Sequence, residues 1–296
     1  MNHTFLRRAR SEAGQQVVEF TGEGAYHGST RPRPAAAPAE PDDAAIVAEM
    51  RPLSLAKYAG REGREIDTFT AVFPNRCEVV EALPAPSQAE LAAEDVTLCW
   101  CPFADALREA GPITREVLAA MQRHINRRKR HIYVDSKIQF FHRGDVPVDS
   151  RHWHVDGSIA VRDARVARLG HALLHDMRAR LEGPAEPPTY LSYQSSTHCA
   201  TRFVTAPVTV VLPELIADFD ELDRQVRAID PPTAAQPAGA IVRFDGLSLH
   251  RAVAASESGW RLWIRCIETD REVALTSSII DCYGKVYRLA GPPQSG

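Results

Sequence analysis

The chain has 296 residues, 44% hydrophobic and 25% charged, with a formal net charge of −3 and a pI near 6.4. That balance fits a folded globular protein of one or two domains and argues against nucleic acid or an anionic membrane as the main partner. No apolar run reaches the length of a membrane helix and MNHTFLRRARSEAG has no secretory hydrophobic segment, so a cytoplasmic location is expected.

Taken in chain order, residues 28 to 43 (GSTRPRPAAAPAEPDD) are rich in Pro and Ala and read as a linker. Residues 1–45 are therefore expected to be an arm and linker, and 46–296 a single domain with a helical part (46–130) and a β core (131–275). Asp42 or Asp43 suits the cap of a short helix through Met50. In ITREVLAAMQRHINRRKR (113 to 130), Ile113, Val117, Leu118, Met121 and Ile125 recur at helical spacing, with the basic NRRKR run placed as a helix C-terminus. The six cysteines form no CxxC, and Cys99-Trp100-Cys101 suits alternating strand positions better than metal ligation.

From residue 131 the texture changes to short β-rich runs: HIYVDSKIQFF, TYLSYQSS, TRFVTAPVTVVLP, GAIVRFDGLSLH and WRLWIRCIE. With little helix between them, these predict a mainly β fold, a sandwich or closed barrel of antiparallel strands with flanking helices. VARLGHALLHDMRARLEG (166 to 183) is expected as a helical insertion, on which His171 and His175 are four apart but lack the glutamate of an HExxH pair.

HWHVDG (152 to 157) concentrates ligand-type residues. In an extended segment His152, His154 and Asp156 face one way while Trp153 and Val155 face the other, so Trp153 is expected to pack behind the ligands. Adjacent same-side residues can share an ion, which leaves His152 with His154, or His154 with Asp156. A third ligand must come from elsewhere, and His250 stands out, after GAIVRFDGLSL and before a polar loop leading to WRLWIRC. On that last strand Arg261, Trp263 and Arg265 share a face and require an anion, water or a carboxylate partner.

An HxD pair, a later histidine after G-x-x-x-x-F-D, and an arginine eleven residues beyond it resemble the Fe(II)/2-oxoglutarate-dependent oxygenases. The segment HRAVAASESGWR is particularly similar to the phytanoyl-CoA dioxygenase-like branch, and the resemblance covers roughly residues 131 to 270. It implies a double-stranded β-helix (jelly roll, cupin-like), with Fe(II) on His154, Asp156 and His250. Two imidazoles and one carboxylate leave three positions of an octahedral ion open, as such an oxygenase needs.

The resemblance also implies 2-oxoglutarate as cosubstrate, with Arg261 at the family spacing for its far carboxylate, Arg265 as the rival and Gln139 as a further contact. Thr201 and Arg202 are candidates for pocket lining or for structure, and His152 is given no catalytic role. The implied reaction consumes O2 and oxidises an unactivated C–H bond of a small molecule, by default to an alcohol, releasing succinate and CO2. Desaturation, cyclisation or demethylation would use the same ligands. Asp156 stands where halogenases of this superfamily carry a small residue.

Two other readings compete: a metal-dependent hydrolase using His152, His154 and Asp156, and a non-catalytic cupin-like binding protein. A small metabolite or natural-product intermediate is the expected substrate, with Arg162, Arg165 and Arg168 as candidates to attract an acidic one. Oligomeric state is not indicated.

Overall fold

A computed structural model of the chain describes residues 5–8, 16–20, 26–27, 68–94, 96–126, 128–147, 152–156, 175–216, 219–270 and 285–289. The expected helix through Met50, His171 and the arginines at 162, 165 and 168 lie outside these residues. The described part is mainly β and largely antiparallel.

The largest sheet has six antiparallel strands in the order Cys77–Ala82, Ala240–Asp245, Thr189–Gln194, Gly259–Thr269, His131–Phe141, Cys101–Pro102. Alternation gives it two unlike faces. Leu262, Ile264 and Cys266, with Val134, Ile138, Leu191, Tyr193 and Ile241 from neighbouring strands, join one apolar cluster with Leu91, Val117, Leu118 and Met121 of the helical layer. Arg261, Trp263 and Arg265 lie on the opposite face, in register with Gln139, Lys137 and Asp135.

A three-stranded sheet, Thr233–Ala235, Thr201–Val204 and His250–Ala252, covers part of that second face. Its Phe203 packs with Tyr190, Val242, Phe244 and Ile267 of the large sheet. A ribbon of Thr68–Phe73 paired with Val208–Pro213 encloses a further core with Trp153, Val155 and Leu249.

The helix expected over 113 to 130 is Pro112–Gln122. Glu94 caps its start, accepting from the Ile113 amide (3.0 Å) and the Thr114 hydroxyl (3.0 Å). Gly111 permits that approach, because a Cβ there would lie 1.9 Å from Glu94 Oε1. The helix stops early because partners in the sheet take up the chain beyond it. Arg243 donates to the His124 carbonyl (2.9 Å) and the Asn126 amide donates to Glu268 (3.0 Å). The NRRKR run therefore follows the helix, and its Lys129 bridges Glu186 and Asp270 at 2.9 and 3.1 Å.

Three further local expectations change. The region 46–130 is not simply helical, since 68–73 and 77–82 are strands; TFTAVF alternates with Phe69, Ala71 and Phe73 buried. Trp100 adopts a left-handed conformation (φ 46°) that separates strands Val96–Cys99 and Cys101–Pro102, where unbroken alternation was expected. Within 166 to 183, His175 lies in a two-residue strand and only Met177–Glu182 is described as helix. In the N-terminal arm, 5–8 pairs with 96–99, and 16–20 pairs in parallel with 285–289.

Candidate metal centre

His154 and His250 form an antiparallel backbone bridge, each amide donating to the other's carbonyl at 3.0 Å. On the far side of His250 lies Phe203, its ladder partner. Bridged antiparallel residues point to the same face, so the two imidazole centroids come within 4.5 Å of one another. Trp153 and Val155 enter the apolar core opposite, as alternation requires, and the Trp153 amide donates to Asp223 (2.8 Å) on helix Asp220–Ile229. The turn before His250 is fixed by Asp245, which accepts from Leu247 N (2.9 Å) and Ser248 Oγ (3.0 Å).

Each histidine has one ring nitrogen committed to the backbone. His154 Nδ1 lies 2.8 Å from the His152 carbonyl and His250 Nδ1 2.9 Å from the Ser248 carbonyl. With both Nδ1 atoms donating, both Nε2 atoms present lone pairs. Asp156 meets them: Oδ2 is 3.4 Å from His250 Nε2 and Oδ1 is 4.0 Å from His154 Nε2. One ligand atom from each of His154, Asp156 and His250 lies within 4.8 Å of the other two. This His-Asp-His cluster could hold a metal ion.

The electrostatics keep His154 and Asp156 deprotonated. Burial, and then the neighbouring His250, push His154 down to about 4, so it is neutral at neutral pH. Burial alone would raise Asp156, but Arg265 and His250 hold its carboxyl well below the usual carboxylate range. Tyr190, Phe203 and Phe244 wall the His250 side, the last two with ring centroids 5.6 and 5.3 Å from its imidazole.

The two arginines of WRLWIRC diverge in role. Arg265 donates to Asp156 Oδ2 and, at 2.8 Å, to Asp135 Oδ2. Arg261 is buried, and among the described residues its one hydrogen bond is a long contact of 3.5 Å to Gln194 Oε1. Its Nε is buried without a partner, and among the described residues no carboxylate pairs with it. Burial works against its charge, which lowers its pKa from the usual arginine value. Gln139, also buried, is its direct cross-strand neighbour. His198 closes the far end of this polar face, its ring against Phe141 (6.3 Å) beside Gly259, and its Nε2 too is buried without a partner.

His152 stays outside the cluster, its Nδ1 3.0 Å from Asp220 at the surface. Its carbonyl, not its ring, serves the centre by orienting His154. Arg202 donates to Thr233 Oγ1 (2.9 Å) and aligns with Arg251 on the face opposite Phe203 and His250; Thr201 shares the Phe203 face. Asp135 and Arg180 were not singled out from the sequence. Arg180 is buried and clamps the segment by donating to the Asp156 carbonyl and, at 3.1 Å, to that of Gly246. A signal for Asp135 existed: it shares a strand face with Lys137 and Gln139, in register with Arg265.

No protein-family model matches the chain, and no curated protein matches it. Among solved structures it is similar to AviO1 from Streptomyces viridochromogenes Tue57, at 17% identity over 80% of this chain and 88% of that one, with a TM-score of 0.29. Among the described residues no helix is long and apolar enough to cross a membrane.

Proposed function

We propose that the protein is a non-haem Fe(II)/2-oxoglutarate-dependent oxygenase that hydroxylates a small molecule, built on a double-stranded β-helix. The observation that carries this reading is one juxtaposition. Two imidazoles and a carboxylate converge on a point beside a sheet face that holds a buried arginine with no anionic partner among the described residues. The facing of the six-stranded and three-stranded sheets around that point supports the β-helix assignment.

The donor set fits Fe(II): two imidazole nitrogens and one carboxylate oxygen are the donors of a facial triad, which would leave positions open. Arg261 fits a dicarboxylate cosubstrate, because a buried cation is costly until an anion neutralises it, and a guanidinium pairs with a carboxylate bidentately. Gln139 stands beside it as a second polar contact.

With Fe(II), 2-oxoglutarate and O2 bound, the centre supplies oxidative decarboxylation coupled to oxidation of a C–H bond, releasing succinate and CO2. The chain's own residues prepare that chemistry. The carbonyls of His152 and Ser248 hold both imidazoles in the ligating tautomer. Asp156 stays ionised, Arg261 neutralises the far carboxylate, and the aromatic wall excludes water from the His250 side. The hydrolase reading needs His152 as a ligand, whereas its ring nitrogen meets Asp220.

The test is anaerobic reconstitution with Fe(II) and 2-oxoglutarate. The expected result is one Fe(II) per chain and a visible charge-transfer band that Asp156→Ala abolishes. Tight zinc binding with hydrolytic activity and no response to 2-oxoglutarate would overturn the proposal.

A further inference from the structure

We infer that Arg265 is a positioning residue for the metal centre: anchored by Asp135, it holds the Asp156 carboxylate in its ligating orientation. The inference rests on the metal-binding part of the reading above.

The restraint can be followed atom by atom. The backbone amide of Trp100 donates to Asp135 Oδ1 at 2.8 Å, and the left-handed break at Trp100 (φ 46°) delivers that amide. Asp135 is wholly buried, and its other oxygen accepts from Arg265 at 2.8 Å. The Arg265 guanidinium is packed by two aromatic rings, Trp263 at 5.2 Å and Tyr190 at 5.5 Å, and donates onward to Asp156 Oδ2. One planar fork thus ties a rigid central strand to the last described residue of the ligand segment. A lysine could not make both bonds in the same fixed geometry.

A second buried guanidinium, Arg180, donates to the Asp156 carbonyl, so this residue is held at its backbone as well as at its side chain. With Oδ2 engaged by Arg265, the carboxylate is steered toward binding an ion through one oxygen, which keeps a coordination position free.

Cobalt(II) alone, titrated into the full chain, tests this by its visible absorption. Wild type is expected to bind one Co(II), and Arg265→Gln to bind it about 10–100-fold more weakly with altered absorption bands. Asp135→Asn, which keeps the acceptor for Trp100, is expected to shift affinity less but in the same direction. Arg265→Lys is expected to recover only part of the loss. Removing a mere nearby positive charge would instead strengthen cation binding. Unchanged or tighter Co(II) binding in Arg265→Gln and Asp135→Asn therefore overturns the inference, and if Arg265→Gln does not melt cooperatively, Asp135→Asn and Arg265→Lys decide it. A wild-type chain that binds no Co(II) overturns the metal reading and this inference together. Co(II) binding without any response to 2-oxoglutarate overturns the oxygenase reading alone and leaves the positioning role standing.

Discussion

Leu262, Ile264 and Cys266 point from strand Gly259–Thr269 into a helix-backed apolar layer, while Arg261, Trp263 and Arg265 of the same strand point into a polar one. The first face is satisfied by packing alone. The second carries charges: Arg265 is shared between two carboxylates, and Arg261 has none among the described residues. A chain folding for stability alone gains nothing from an unmatched guanidinium in the interior. The apolar face thus stabilises the sheet, and the polar face carries the arginine that reaches Asp156 of the cluster that could hold a metal ion.

Substitutions on the two faces should therefore separate stability from binding. The largest effect on stability is expected from Ile264→Ala, which empties a fully buried site and should cost about 2–5 kcal/mol in urea unfolding. Metal affinity of the folded fraction should hardly change; a matching loss of metal affinity would break the separation. Arg261→Met should do the reverse. It should leave unfolding stability unchanged or slightly raised, because it removes a buried, unneutralised charge, while weakening 2-oxoglutarate binding by about 2–5 kcal/mol, read by calorimetry. A loss of several kcal/mol in stability there would show that Arg261 is structural. The smallest effect is expected for His152→Ala, since its ring meets exposed Asp220 rather than the cluster and its backbone carbonyl survives the change. Metal affinity should stay within about threefold, as for a surface pair; a larger loss would return His152 to the centre.

Parts of this arrangement were legible in the sequence because they follow from period-two alternation. His154 and Asp156 on one side with Trp153 and Val155 on the other needed only an extended backbone, and the same rule grouped Arg261 with Arg265. The two strands 68–73 and 77–82 were equally legible in principle, yet the expectation of a helical region passed over the alternation in TFTAVF. The early end of helix Pro112–Gln122 was not legible, since it depends on Arg243 and Glu268, more than a hundred residues away in sequence.

The choice between the two arginines shows where sequence reading ends. Spacing named Arg261 and Arg265 as candidates, but their difference comes from strand 131–141, which sets Asp135 opposite Arg265 and Gln139 opposite Arg261. A carboxylate ties the first arginine to Asp156, and an amide leaves the second available for an anion. By itself the sequence determined residue types and the faces they share, because alternation is a local property of an extended chain. Only the tertiary structure decided which faces meet. The His154–His250 bridge, the Asp135–Arg265–Asp156 link and the burial of Arg261 beside Gln139 and Gln194 join residues distant along the chain, through register and burial that no local pattern encodes.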